Sequence, residues 1–163
     1  MAEINIFSQE LFDEYCLDNG ISDDNVETLD NKAFISIIGT KDVVEKYLDE
    51  PDTKHYFKEN HPNVINLEFD DVSKDIEFRG ITAKAITDEQ CKELFDFIEK
   101  NIGKDFYIHC RAGISRSRAV GRFIRECYPY DYWEVSDFFD TANMGVLRGL
   151  KRTYYIKHNI YNE

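Results

Sequence analysis

The sequence has few of the residues that mark several protein classes. Only three of its 163 residues are proline, and no stretch rich in proline, glycine or serine divides the chain. The four cysteines show no Cys-x-x-Cys spacing and no nearby histidine pattern, so no metal site is expected. The most apolar stretch, 33–38, is too short to span a bilayer. The length of 163 residues and the absence of a linker predict a single domain over residues 1–163.

Positive charge is also scarce. The chain has 20 Lys and Arg against 32 Asp and Glu, a formal net charge of −12. An acidic protein repels phosphate backbones and anionic lipids, so neither nucleic acid nor a membrane is an expected partner. Residues 1–5 lack the basic and apolar parts of a secretory signal, so we expect a cytoplasmic protein with free thiols. Nevertheless, five of the eight arginines lie within residues 111–125, where no acidic residue occurs.

Apolar residues make up 42% of the chain, which is enough for a core. Short β-rich apolar runs predict strands at 4–7, 33–39, 64–69 and 106–108. Helical periodicity and capping residues predict helices at 9–17, 43–48, 88–101, 116–127, 132–141 and 144–158. Because helices separate the strands, we expect an α/β fold with a central, mostly parallel sheet flanked by helices.

The stretch whose residues indicate catalytic chemistry is 109–117, His-Cys-Arg-Ala-Gly-Ile-Ser-Arg-Ser. It lies between a predicted strand and a predicted helix. A loop that opens onto a helix N-terminus presents unpaired N–H groups and a positive dipole end, which bind anions. Gly113 lets the amides converge, and Arg116 can bind two phosphate oxygens. The same field lowers the pKa of the Cys110 thiol. The pattern predicts a nucleophile beside a phosphate site.

These residues resemble the signature loop of the cysteine-dependent protein tyrosine phosphatase superfamily, His-Cys-x-x-Gly-x-x-Arg-Ser. The fuller form, His-Cys-x-Ala-Gly-x-Ser-Arg-Ser, is similar to that of the dual-specificity phosphatase branch, and every specified position matches. The resemblance extends over residues 64–128. It implies a protein tyrosine phosphatase-like fold and hydrolysis of phosphomonoesters through a phosphocysteine intermediate, without metal or cofactor.

The resemblance also implies a role for each loop residue. Cys110 would attack phosphorus, and Arg116 would bind the phosphoryl oxygens. Ser117 would hydrogen-bond the sulfur and help it leave in the second step, while His109 would orient the loop. The amides of six residues would bind the phosphate: Arg111, Ala112, Gly113, Ile114, Ser115 and Arg116.

In this family an aspartate on a loop after an earlier strand protonates the leaving oxygen. Asp71 matches the Phe-x-Asp pattern of some relatives and is the first candidate; Asp70 and Asp75 are the alternatives. The region of Asn143 is a further candidate for an edge of the site, because related small phosphatases bring an asparagine there.

Three other functions fit the loop less well. RNA 5′-triphosphatases usually read His-Cys-Thr-His-Gly-x-Asn-Arg, from which Arg111, Ala112 and Ser115 depart. Phosphoinositide phosphatases typically have lysines in the loop, and this loop has none. Non-catalytic phosphoprotein-binding relatives usually lose the cysteine or the arginine, and both are present. The expected partner is therefore a phosphorylated protein, phosphotyrosine above other residues.

Arg111 and Arg118 are candidates for the rim of the site. The other cysteines, several aromatic residues and the other histidines are expected to have structural roles. Helical spacing places Cys16, Cys91 and Cys127 in the core. Core packing is expected for the aromatic residues Tyr128, Tyr130, Tyr132 and Trp133. Three histidines have no evident partner and are expected at the surface: His55, His61 and His158.

Overall fold

The short apolar runs form a parallel sheet. The computed structural model describes residues 2–47, 54–132 and 141–158. Its strands are β1 (Glu3–Ser8), β2 (Lys32–Ile38), β3 (Val64–Glu68), β4 (Ile76–Phe78), β5 (Ile81–Ala83), β6 (Asp105–Cys110) and β7 (Asp131–Tyr132). Its α-helices are α1 (Gln9–Asp18), α2 (Asp88–Lys100), α3 (Arg116–Cys127) and α4 (Met144–Lys157).

Four parallel strands in the order β3-β2-β6-β1 make the body of the sheet, and the two-residue β7 extends it beside β1. Strands β4 and β5 form a separate antiparallel hairpin. The α/β architecture with a parallel sheet flanked by helices, predicted from the alternation of strands and helices, is confirmed. Strand β6 lies between β2 and β1 at the centre of the sheet, so a strand flanks its carboxyl end on each side.

Alternate residues of each strand face opposite sides of the sheet, and each side has its own core. On one side, Ile35 and Ile108 pack in a large cluster with residues of α2, α3 and α4. On the other side, Phe34 and Tyr107 pack with Phe12 of α1 in a smaller cluster. The sheet is therefore covered by helices on both faces, which explains its nearly continuous apolar strands.

Capping residues define where two of the helices begin. The Ser8 hydroxyl accepts a hydrogen bond from the Leu11 amide at 3.2 Å and starts α1. Thr87 and Gln90 form a reciprocal capping box at the start of α2. These caps satisfy amides that would otherwise lack partners, so the helix starts are as predicted.

Several elements differ from the prediction. The helix expected at 43–48 is a π-helical turn, Val43–Tyr47. The β4–β5 hairpin was not expected. Most of the helix predicted at 132–141, with Trp133, lies outside the described residues. Cys16 and Cys91 are buried and Cys127 is half-buried, close to the core positions expected for them. Among the described helices, none has both the length and the apolar character required to cross a membrane.

Candidate active site

The loop of residues 111–115 joins the carboxyl end of β6 to the start of α3, where ligand sites in parallel sheets lie. Cys110 is the last residue of β6 and is paired in register with Ser8 of β1. Only 2% of its surface is exposed. The nucleophile expected from the sequence is therefore at the central strand, at the base of the loop.

Gly113 fixes the path of the loop. Its φ is +75°, a left-handed conformation that glycine adopts without strain. A Cβ at this position would lie 2.7 Å from the carbonyl carbon and oxygen of Phe7 and 2.8 Å from the Ser8 nitrogen. The Gln9 amide also donates to the Arg111 carbonyl at 3.0 Å. The loop thus lies directly against the junction of β1 and α1, where only glycine fits.

The surroundings of the Cys110 sulfur favour its thiolate. Burial raises the pKa of the thiol, but several groups outweigh it and hold the pKa below its ordinary value. These are hydrogen bonds from the Ser117 hydroxyl and amide, the positive charge of Arg116, and a hydrogen bond from the Ser115 amide. The Ser117 oxygen lies 3.1 Å from the sulfur. Because a thiolate only accepts hydrogen bonds, the Ser117 hydroxyl is then the donor.

The other thiols differ in this respect. Burial raises the pKa of Cys91 to about 11 and that of Cys16 to about 12. Burial also raises the pKa of Cys127. Cys110 is the cysteine whose surroundings lower the pKa and favour the thiolate.

Arg116 brings a buried positive charge to the loop. Its side chain donates to the Phe69 carbonyl at 2.8 Å, and the residue is 7% exposed. Its Nε is buried and has no hydrogen-bond partner among the described residues. The N-cap Ser115 makes no side-chain capping bond to α3. A buried guanidinium with an unsatisfied donor, beside a helix start without a side-chain cap, is typical of an anion site.

His109 lies on the opposite face of the sheet from Cys110. Its Nδ1 donates to the Cys110 carbonyl at 3.1 Å, and its Nε2 is 2.6 Å from the Ser36 hydroxyl. The Ser36 hydroxyl is also 2.7 Å from Nδ1 of His55. Burial lowers the pKa of both imidazoles to about 4, so both are neutral.

The chemistry of these groups fixes the direction of the hydrogen bonds. A carbonyl only accepts, so the proton of neutral His109 is on Nδ1, and Nε2 accepts from the Ser36 hydroxyl. The Ser36 oxygen in turn accepts from Nδ1–H of His55. This chain of three bonds orients the Cys110 peptide from behind the loop. His55 is half-buried and bonded, so the expectation of an unpartnered surface residue is wrong.

The other two histidines also have partners. His61 lies 2.9 Å from a carboxylate oxygen of Asp23 and 2.7 Å from one of Glu27. Its side chain is only 6% exposed, so the predicted surface position is wrong for His61 as well. His158 is exposed, as predicted, but lies 3.2 Å from a carboxylate oxygen of Glu99.

The adjacent aspartates have different surroundings. Asp70 is 3% exposed and accepts hydrogen bonds from the amide and hydroxyl of Thr40 at 2.9 and 2.8 Å, and from the Lys84 amide at 2.8 Å. Asp75 accepts from the Ala85 amide at 2.9 Å. These two carboxylates join backbone segments to one another, which is a structural role.

Asp71 is exposed and is bonded to the loop itself. Its Oδ1 accepts from the Ser115 hydroxyl at 2.7 Å and from the Asn143 side-chain amide at 2.8 Å. Asn143 also caps α4 through the Val146 amide at 3.1 Å. Because Oδ1 accepts both bonds, an exchangeable proton on this carboxyl belongs on Oδ2. The candidate acid is therefore placed between the loop and the start of α4.

A cavity of about 420 Å³ opens beside the loop. Its lining includes Asp70, Asp71, Arg111 and Arg116, and most of the remaining lining is apolar. Arg118, the other candidate for the rim, instead donates to the Thr141 hydroxyl at 2.9 Å and does not line this cavity. The cavity thus joins the phosphate-binding candidates to an apolar wall.

Sequence reasoning missed two parts of the site. Ser36 and His55 belong to no recognisable motif. The pairing of β2 with β6 places Ser36 opposite His109, and His55 is hydrogen-bonded to Ser36. The hairpin that walls the cavity follows Asp71, and its three-residue strands carry little sequence signal. Among the described residues, no group of three or more His, Cys, Asp or Glu side chains is placed to hold a metal. No protein-family model, curated protein or solved structure matches the chain.

Proposed function

We propose that this protein is a cysteine-dependent phosphatase that hydrolyses phosphomonoesters on proteins, phosphotyrosine above others. Its domain would be protein tyrosine phosphatase-like, closest in its loop to the dual-specificity branch. The observation that carries the proposal is the arrangement around Cys110. A thiol of lowered pKa lies at the base of a loop that begins a helix, next to a buried arginine with an unpartnered Nε.

In the first step the Cys110 thiolate attacks phosphorus, and a P–S bond forms as the bond to the leaving oxygen breaks. Asp71, protonated on Oδ2, gives its proton to that oxygen. Arg116 and the amides of residues 111–116 stabilise the charge on the three remaining phosphoryl oxygens. The products are the free hydroxyl compound and a phosphocysteine.

In the second step water attacks the phosphocysteine and the P–S bond breaks. The Asp71 carboxylate now accepts the proton of the water, and inorganic phosphate is released. The sulfur leaves as a thiolate, which the Ser117 hydroxyl at 3.1 Å stabilises by donating a hydrogen bond. The same bond that lowers the pKa of the nucleophile thus lowers the cost of its departure.

The direct test is hydrolysis by the purified full chain. An aryl phosphate, a phosphotyrosine peptide, a phosphoserine peptide and triphosphorylated RNA are compared, with Cys110→Ser as the inactive variant. Cys127→Ser is the matched control, because it changes a cysteine outside the loop. We expect hydrolysis of the aryl phosphate and the phosphotyrosine peptide, loss in Cys110→Ser, and retention in Cys127→Ser. Rapid quenching should give a Cys110 peptide heavier by one phosphoryl group.

Each alternative has a distinct outcome. Activity in Cys110→Ser would exclude Cys110 as the nucleophile. Binding of the phosphopeptide without hydrolysis of any substrate would indicate a non-catalytic binding module. Hydrolysis of triphosphorylated RNA without hydrolysis of the peptides would indicate a non-protein substrate.

A further inference from the structure

The cavity beside the loop is lined by four charged residues and a larger set of apolar ones. The charged residues are Arg111 and Arg116, which belong to the proposed phosphate-binding residues, and the carboxylates Asp70 and Asp71. The wall includes Val43 and Val44 from the π-helical turn, together with side chains of the β4–β5 hairpin. A ligand held by its phosphate at the arginines would therefore extend into apolar surroundings.

The hairpin presents one apolar face to this cavity. Strand β4 pairs antiparallel with β5, with Ile76 opposite Ala83 and Phe78 opposite Ile81. Directly opposed residues share a face, and these four side chains all line the cavity. The intervening pair, Glu77 and Thr82, belongs to the other face.

This apolar face is incompletely covered. Ile76 and Phe78 are each 46% exposed, although they are large apolar residues, and the Arg79 guanidinium lies 5.1 Å from the centre of the Phe78 ring. The hairpin turns at Arg79 and Gly80, both with positive φ, which fits the tight turns that favour a right-handed strand twist. Exposed apolar side chains that line a cavity beside the proposed phosphate site mark a surface for binding a ligand.

The size of the cavity limits how large a group it can hold. An apolar cavity of about 150 Å³ accommodates one benzene ring. The volume here, about 420 Å³, exceeds that of a single ring. The phosphate of an alkyl ester such as phosphoserine would leave most of the apolar wall unfilled.

We infer that the apolar face of the β4–β5 hairpin selects substrates in which an aryl phosphate is accompanied by a second bulky apolar group. In a protein substrate this is phosphotyrosine next to a large apolar side chain. The inference rests on the proposed function and adds to it the determinants of selectivity, Phe78 and Ile76. These residues contact the organic part of the substrate and take no part in the chemical steps.

The test compares two aryl phosphates whose leaving phenols have similar acidity, phenyl phosphate and 4-biphenylyl phosphate. Their chemical steps are then alike, and the ratio of their kcat/KM values measures how much the apolar wall contributes to selectivity. We expect the wild-type protein to favour the biphenylyl ester by about tenfold or more, since even one methylene in an apolar pocket gives discrimination of that order. Phe78→Ala and Ile76→Ala should each reduce this ratio.

Thr82→Ala is the matched control, because it shortens a side chain on the opposite face of the same hairpin; it should keep the wild-type ratio. Phe78→Leu keeps an apolar side chain and should give an intermediate ratio, which separates loss of the wall from loss of the fold. The inhibition constant of inorganic phosphate, a competitive inhibitor, shows independently whether the loop still binds phosphate in each variant.

The outcomes separate the two proposals. No hydrolysis of either ester by the wild-type protein would refute the proposed function. Hydrolysis of both esters at the same efficiency, with an unchanged ratio in Phe78→Ala, would refute the selectivity of the hairpin and leave the phosphatase intact. Preference for dodecyl phosphate over the biphenylyl ester would also overturn the inference, because the wall would then bind an alkyl chain.

Discussion

Removal of the Ser117 hydroxyl should make the Cys110 thiol a weaker acid. A hydrogen bond to a charged group contributes about 1.5–3 kcal/mol, and a thiolate, as a soft acceptor, falls at the lower end. One pKa unit corresponds to about 1.4 kcal/mol, so Ser117→Ala should raise the pKa of Cys110 by about one unit. The shift stays that small because the amides of Ser115 and Ser117 and the charge of Arg116 remain.

The assay is the rate at which iodoacetamide alkylates each cysteine in the native protein from about pH 5 to pH 9, resolved by peptide mass spectrometry. Only the thiolate reacts, so the rate follows the pKa of each thiol. Cys110 should react first, while Cys91 and Cys16, with pKa values of about 11 and 12, stay unmodified. Cys91 and Cys16 thus serve as references within the same sample.

The control is Ser73→Ala, which removes the hydroxyl of an exposed serine outside the loop and should leave the alkylation profile unchanged. Two results would refute the reasoning. One is a Cys110 thiol that titrates at or above the ordinary value of about 8.5 in the wild-type protein. The other is an identical profile in Ser117→Ala, which would mean that the hydroxyl does not stabilise the thiolate.

Three further predictions follow from the site and its supports. With an alkyl phosphate, whose leaving group needs a proton, Asp71→Asn should lower kcat about 100-fold or more. Asp70→Asn should mainly lower the Tm. Equal losses of kcat in both variants would contradict the assignment of Asp71 as the acid. Gly113 has a positive φ and lies close to the backbone of Phe7, so Gly113→Ala should lower the free energy of unfolding in denaturant by more than about 1 kcal/mol. The same variant should lose the fast alkylation expected for Cys110. Normal alkylation would show that the loop tolerates a Cβ. Hydrogen bonds to Glu27 and Asp23 raise the pKa of His61. The stability that protonated His61 contributes is therefore complete below about pH 6.5 and is lost as the pH rises through the raised pKa. The unfolding free energies of wild type and His61→Gln should converge at high pH, and a difference that stays constant with pH would contradict this prediction.

Local patterns in the sequence predicted most of the fold. The apolar runs that became β1, β2, β3 and β6, and the capping box at Thr87, depend on residues within a few positions of one another. The hairpin was missed because each of its strands has only three residues and its turn is Arg79-Gly80, without a strong turn signal. The sequence predicts a short α-helix at 43–48, whereas the structure has a π-helical turn at Val43–Tyr47.

The sequence by itself determined which residues meet in the loop. Cys110, Gly113, Arg116 and Ser117 lie within eight consecutive residues, so the geometry of one strand–loop–helix segment brings them together. The tertiary structure decided everything that reaches this loop from elsewhere in the chain.

Two adjacent aspartates show the difference most clearly. Both follow the same strand, yet Asp70 points to the amides of Thr40 and Lys84, while Asp71 meets Ser115, 44 positions further along. The chain from His55 through Ser36 to His109 spans up to 73 positions between bonded partners. Such contacts depend on strand register and on which helix covers which face, and these are set by burial of the whole core rather than by local sequence.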